Sequence, residues 1–369
     1  EDVKHNIQLE IEDGLRVAFE EQEVDSNLEI ELKDVFKDFT FKHQPPKNIY
    51  KKLRFIDAVS EGLFEGMKTY SDVVFMGQDI AEYGGVFKIS DGFLEAFGKE
   101  RVRNTPICES IILSMALGLS VRGYKSVVEM QFADFVSSGF NAVVNNLAKS
   151  HYRWGQCADV VVRMPCGGGV GAGPFHSQTN EAWFTKTPGL IVVYPSTPID
   201  AKGLLISSIE NPNPVLFFEH KALYRSIRDD VPKGYYNIEI GKAKLLNVGT
   251  DITIITYGSG VHESIETIKK HSLSADLIDL RTLSPLDNDS IIQSVRKTGK
   301  AIILQEDSLF GGLASEISSI IMENCFENLD APVIRVGSLD TPIPFEETLE
   351  KQYLPFERFE SEILKLIDY

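Results

Sequence analysis

Cysteine is scarce in this chain: four among 369 residues, Cys108, Cys157, Cys166 and Cys325, with no Cys-x-x-Cys pair. Such spacing excludes a disulfide framework and a zinc ribbon, and ordinary buried thiols are the expectation. Long apolar runs are missing too. No stretch reaches the roughly 18 consecutive apolar residues a membrane-spanning helix needs, and the first residues are acidic and amphipathic rather than a signal peptide. An intracellular protein is expected. Positive charge is in deficit, with 37 Lys and Arg against 54 Asp and Glu, a net charge of -17 and a pI near 4.9. This excludes a nucleic-acid partner held through its phosphates. The Gly-x-Ser-x-Gly elbow of a hydrolase is absent as well, and no serine announces itself as a nucleophile.

What is present is a globular composition, 43% hydrophobic and 25% charged, long enough for two domains and extra segments. The charge is uneven: residues 1–46 hold 13 acids and 5 bases, a net of -8. They form an acidic leader with short amphipathic patterns at Gly14 to Glu20 and Leu28 to Phe36, stopped by Gln44-Pro-Pro46. The first residue is Glu rather than Met, which fits a processed product or a piece of a longer chain. From about Lys51 apolar runs at Asp72 to Gln78, Ser126 to Met130, Asp159 to Arg163, Leu190 to Tyr194 and Val215 to Phe218 alternate with helical stretches, Phe132 to Ser150 and Ile199 to Glu210 among them. Alternation of this kind predicts a mostly parallel sheet covered on both faces. A polar stretch, Tyr224 to Gly234, breaks the rhythm, and strands at Ile252 to Tyr257, Ala275 to Asp279, Ala301 to Leu304 and Val333 to Val336 restart it. The domains predicted are 47–225 and 241–369, joined by a linker over 226–240.

Three positions carry chemistry. Glu109 stands one step before the apolar run Ile111 to Leu119, read as a buried helix. A lone carboxylate there has its charged form desolvated, which raises its pKa unless a partner compensates, yet it is equally placed to cap the helix. The run Pro165-Cys-Gly-Gly-Gly-Val-Gly-Ala-Gly-Pro174 follows a strand but lacks the Lys-Ser/Thr of a nucleotide loop and the helix a dinucleotide site requires. Close backbone approach or a strained turn remains. His176 ends that loop and is a candidate acid or base, or a structural imidazole. Phe132 and Phe135, three apart on the expected helix, are core packing or a face for a flat ring. His5, His43, His151, His220, His262 and His271 show no ligand spacing and are expected to be structural or exposed.

Thr105-Pro-Ile-Cys-Glu109, Glu129-Met-Gln-Phe-Ala-Asp-Phe135, Phe175-His-Ser-Gln178, Ala201-Lys-Gly-Leu204, Asn213-Pro214 and Asp279-Leu-Arg-Thr-Leu-Ser-Pro-Leu286 together resemble the beta chain of thiamine diphosphate-dependent 2-oxo acid dehydrogenases, in order from about Leu53 to near the C-terminus. Gln131-Phe-Ala-Asp134 and Phe218 to Arg225 look nearest the branched-chain type. The resemblance implies two doubly wound α/β domains, a transketolase-like pyrimidine-binding domain followed by a transketolase C-terminal-like domain. It implies oxidative decarboxylation of a 2-oxo acid with transfer of the acyl group to a lipoyl group.

By the same resemblance Glu109 bonds a ring nitrogen of the aminopyrimidine and promotes its imino tautomer. Phe135 stacks on that ring, where the branched-chain relatives have Tyr and the pyruvate ones Phe. His176 serves proton transfer as the acyl group passes to lipoyl sulfur, with Gln131 nearby. A monovalent cation, K+, is implied near Val160, Val161, Ser208, Asn211 and Asn213, although Ser208 and Asn211 replace other residues of the pattern. The Gly-Asp-Gly motif that holds magnesium and the diphosphate is absent. Half a site therefore implies an alpha partner, an assembly of two alpha and two beta chains, a dihydrolipoyl acyltransferase core, and a bacterial cytoplasmic or mitochondrial matrix setting. Glu10-Ile-Glu-Asp13 looks similar to the end of an alpha chain, as in a fused alpha/beta polypeptide. The alternatives are a transketolase or deoxyxylulose phosphate synthase-like transferase, and a noncatalytic scaffold docking the acyltransferase core.

Overall fold

The Val- and Ile-rich runs become strands because branched side chains fill a pleated surface well. In the computed structural model, which describes residues 1–23 and 26–369, the larger sheet has seven strands. Their order is Thr282–Ser284, Ile191–Val193, Val215–His220, Val160–Cys166, Lys125–Glu129, Val73–Gly77 and Val102–Asn104. All neighbours are parallel except Thr282–Ser284. Every residue of Val73–Gly77, Val160–Cys166 and Val215–His220 is buried, as a sheet covered on both faces demands. The second sheet orders Ile334–Ser338, Ala301–Ser308, Ile252–Thr256, Ala275–Asp279 and Lys244–Asn247, with the last strand antiparallel. The α/β class follows directly.

Local chemistry sets the helices. Phe55–Thr69 packs on Pro198–Glu210, which Pro198 and the Thr197 side chain start. A Cβ on Gly62 would lie 3.1 Å from the Lys202 carbonyl oxygen and one on Gly66 2.5 Å from Ile209 Cδ1, so the two glycines permit the close approach.

Several expectations are corrected. The linker contains a strand: Arg228–Pro232 pairs antiparallel with Tyr50–Arg54. The halves also interleave, since Thr282–Ser284 joins the first sheet, and one apolar core unites Val162, Tyr194 and Phe218 with Ile255, Ile278 and Ile303. The helix expected over Phe132 to Ser150 is three pieces, a 3-10 turn at Ala133–Gly139, a π turn at Ala142–Leu147 and an α-helix at Ser150–Trp154. Ser137 and Ser138 donate to the carbonyls of Asp134 and Phe135, competing with regular helical bonds. Phe132 lies outside the turn in extended conformation. Cys108 and Cys157 are only partly buried, whereas Cys166 and Cys325 are buried.

The leader divides. Residues 1–34 form one unit, with helices Asp2–Glu20 and Leu28–Lys33 that bury no residue, and its positions 24 and 25 lie outside the described residues. Residues 35–46 belong to the body instead. Phe36 packs on its core, Asn213 brackets the Lys37 backbone, and Asn237 holds Lys42 and Gln44. No described helix is long and apolar enough to cross a membrane.

Candidate active site

Parallel strands leave their carboxyl ends along one edge, where ligands bind in open α/β sheets. Val73–Gly77 ends there and is followed by Gln78; Lys125–Glu129 ends there and is followed by the 3-10 turn. Between them the helix Glu109–Val121 begins, placing Glu109 in its first turn. Gln78 Nε2 donates to Glu109 Oε1 at 3.2 Å, and Ser138 Oγ donates to Oε2 at 3.3 Å. Glu109 is half-buried. It is therefore not the lone acid of the sequence reading; each oxygen accepts one bond and keeps capacity for another.

The single Ser138 hydroxyl proton is shared between Glu109 and the Phe135 carbonyl, 3.0 Å from Oγ, so one hydroxyl ties the turn that bears Phe135 to Glu109. Glycine at 139 eases that approach: a Cβ there would lie 2.4 Å from Leu113 Cδ1 and 3.3 Å from Ser110 Cα. The His176 ring stands edge-on to Phe132 at 4.7 Å and to Phe135 at 5.5 Å between centroids. Glu109, Phe135 and His176 are thus brought together. Gln131 is half-buried beside Phe132 and makes no hydrogen bond among the described residues.

The His176 loop is fastened from below. Asp134, buried, accepts from the Gln178 backbone at 3.2 Å and from Gln178 Nε2 at 2.9 Å, and burial pushes its carboxyl up. Asn180 Nδ2 donates to the Ala133 carbonyl. Upstream, the glycine run takes left-handed backbone at Gly167, Gly169, Gly171 and Gly173. Its amides are not open to a phosphate: Gly168 donates to Glu306 at 2.7 Å, and Gly169 and Gly171 to Glu350 at 3.0 Å. Burial would raise Glu306, but His220, 2.6 Å away, outweighs it and holds the carboxyl at about 2. His220, expected to be structural or exposed, thus hydrogen-bonds Glu306 in a buried staple between the two sheets. His262 meets the Ser196 carbonyl and His271 meets Glu360.

The positions proposed for a cation are already engaged. Ser208 donates to the Leu204 carbonyl, Asn211 Oδ1 accepts from Asn213, and Asn213 Oδ1 accepts from Lys37. Val160 and Val161 lie inside a strand paired on both sides. Ser208 Oγ acts here as a donor and keeps its lone pairs, and Asn213 Oδ1 keeps one. Among the described residues, no group of three or more His, Cys, Asp or Glu could hold a metal ion.

Sequence reasoning missed Gln78, Ser138 and the bonding of Asp134. Gln78 carried a signal, since it ends a strand at the ligand-binding edge. The other two carried none, because the broken helix decides where they point. The helix after Glu109 is also less covered than its composition suggests. Ile107, Ile111 and Met115 are exposed, an apolar patch beside the carboxylate.

Residues 51–226 match the family described as the transketolase pyrimidine binding domain, and residues 241–358 the transketolase C-terminal domain. The chain is 43% identical over 310 residues to the 2-oxoisovalerate dehydrogenase subunit beta of Bacillus subtilis (strain 168), covering 82% of this chain and 94% of that one. It is 42% identical over 320 residues to the mitochondrial 2-oxoisovalerate dehydrogenase subunit beta of Dictyostelium discoideum, covering 84% and 86%. Identity to the pyruvate dehydrogenase E1 component subunit beta of B. subtilis is 43% over 309 residues, covering 82% and 95%. A solved structure titled split gene transketolase, inactive beta4 tetramer, superposes with a TM-score of 0.69 at 22% identity, over 87% of this chain and 99% of that one. That likeness concerns the fold alone.

Proposed function

This chain belongs to the beta subunits of the 2-oxo acid dehydrogenases, and from that premise we propose that it supplies the aminopyrimidine-binding half of a thiamine diphosphate site acting in oxidative decarboxylation of a 2-oxo acid. The carrying observation is the Glu109 carboxylate, held by Gln78 and Ser138 with Phe135 one turn away and His176 against that ring. Thiamine diphosphate, when bound, supplies the carbanion that adds to the 2-oxo carbon and takes up the electron pair left as carbon dioxide departs. The chain's own residues bind and orient it. Glu109 holds or yields a proton at a ring nitrogen, its two donors fixing the direction of the free lone pairs. Phe135 offers a flat face for the ring.

His176 acts in the second half. His176 would supply the proton taken by one lipoyl sulfur as the other takes the acyl carbon. Gln131 joins this role; its support is its place in the chain next to Phe132, whose ring packs on His176. The diphosphate and its magnesium fall to an alpha chain, in an assembly with a second beta chain; in support, the Gly-Asp-Gly motif is absent from the sequence and no cluster of three or more His, Cys, Asp or Glu ligands occurs among the described residues. The exposed Ile107, Ile111 and Met115 support a protein neighbour there. Docking to a dihydrolipoyl acyltransferase core and a cytoplasmic or mitochondrial matrix setting complete the reading. Equal identity to relatives of both types moves the choice between branched-chain acid and pyruvate into the pocket, where a methylene discriminates by about 1 to 3 kcal/mol.

The test is E109Q in the complex reconstituted with the alpha chain. Decarboxylation should vanish while the subunits still co-elute; undiminished turnover would overturn the role. Substituting His176 should slow lipoyl acylation more than decarboxylation read with an artificial electron acceptor.

A further inference from the structure

Among the described residues of this chain of net charge -17 lies a cleft of the opposite sign. It measures 470 Å³ and its walls include Lys51, Lys52, Arg54, Lys88 and Arg225, five cations against the two carboxylates Asp57 and Glu61. The carboxylates do not neutralise it but brace it. Arg54 forms a fork onto Asp57 at 2.8 and 2.7 Å, and Lys51 reaches Glu61 at 3.0 Å. Lys88 sits over the Tyr83 ring at 3.2 Å. Among the described residues no carboxylate pairs with Lys52 or Arg225, and both are exposed. The excess is therefore available to an anion from outside.

The cleft is next to the site. Phe87, in its wall, packs on Phe132 at 5.7 Å, and Phe132 packs on His176 at 4.7 Å. A larger cleft of 780 Å³, lined by Pro174, Phe175 and Gln178 of the His176 loop, has Asp307 and Asp340 in its walls. An acidic surface approaching His176 is drawn toward the basic cleft. The wall is polar and open, with few apolar atoms to enclose a small molecule, whereas a protein rim needs only complementary charge.

We infer that the Lys52–Arg225 cleft docks an acidic face of the protein that carries the acyl acceptor to His176. This rests on the acyl-transfer reading of His176. Charge of this kind acts mainly on encounter, so its loss reads out as KM and as salt dependence rather than as turnover at saturation.

The test uses the reconstituted alpha-beta complex, its lipoylated acyltransferase as acceptor, and K52E/R225E. Two rates are measured on each sample: decarboxylation with an artificial electron acceptor, and acylation at varied acyltransferase concentration and sodium chloride. K52E/R225E should raise KM for the acyltransferase about tenfold, flatten its salt dependence and leave saturated acylation within about twofold, with K52Q/R225Q in between. An unchanged KM overturns the inference. So does loss of the alpha chain on purification, which would make the cleft a subunit interface. A third contrary result is sodium phosphate inhibiting beyond sodium chloride of equal ionic strength, which would make it a small-anion site. Failure of the acyl-transfer reading looks different: wild type would decarboxylate without acylating, or H176A would acylate normally.

Discussion

Replacing Asp134 by alanine removes the acceptor of two hydrogen bonds, from the Gln178 amide at 3.2 Å and from Gln178 Nε2 at 2.9 Å. Gln178 Nε2 keeps the Pro174 carbonyl at 2.9 Å, but the Gln178 amide loses its partner. Two such bonds are worth roughly 2 kcal/mol if the acid is neutral and up to about 4 if it is charged. Burial raises the Asp134 pKa and so favours the lower figure. D134A should therefore cost about 2 to 3 kcal/mol in denaturant unfolding. D134N keeps an oxygen for both donors and sheds the desolvated charge; it should cost less than about 1 kcal/mol. The loop between Pro174 and Gln178 carries His176, so loosening it should slow acylation about 10- to 100-fold while decarboxylation with an artificial acceptor falls little. The reasoning is refuted if D134N is as damaging as D134A, or if both rates fall together.

Other outcomes follow from the buried polar network. Arg163 is fully buried between Glu219, at 2.8 Å twice, and Glu129 at 2.6 Å; R163A strands two carboxylates and should cost about 3 to 5 kcal/mol in chemical denaturation. A cost under about 1 kcal/mol would show the acids protonating freely. Gly167 has φ +88°, and a Cβ there would fall 2.2 Å from His220 Nε2; G167A should lower Tm sharply, with part of the loss restored by H220A in the same chain. Burial, with Asp307 beside it, pushes Glu181 up to about 8. A carboxyl raised above its unfolded value stabilises the fold while protonated and loses that contribution as pH climbs through the folded value. Wild type should thus lose stability from about pH 5 to pH 8, and E181Q, which keeps an oxygen for the Tyr257 hydroxyl, should lose less. Parallel Tm profiles would exclude the raised carboxyl.

The strands were legible because burial on both faces demands unbroken Val and Ile, and Val73–Gly77, Val160–Cys166 and Ile252–Thr256 lie where those runs are. Short strands escaped. Tyr50–Arg54 and Arg228–Pro232 are half polar and pair only with each other, across a long separation in sequence. Thr282–Ser284 is a strand only because the first sheet has an open edge beside Ile191–Val193. Among site residues, Glu109, Phe135 and His176 were named from motifs, whereas Gln78 and Ser138 hold Glu109 through contacts between segments far apart in the chain.

By itself the sequence determined the α/β alternation, the acidic charge, the order of the motifs and the identity of the candidate acid, since each depends on residue type and local spacing. Tertiary structure alone decided what surrounds them. Ser138 reaches Glu109 because the segment after Lys125–Glu129 breaks into 3-10 and π turns, and Gly139 lets it settle on the helix start. The glycine loop closes on Glu306 and Glu350 rather than on a phosphate because the second sheet brings those acids to it. Both outcomes need burial and donor geometry between distant segments, and no local pattern encodes either.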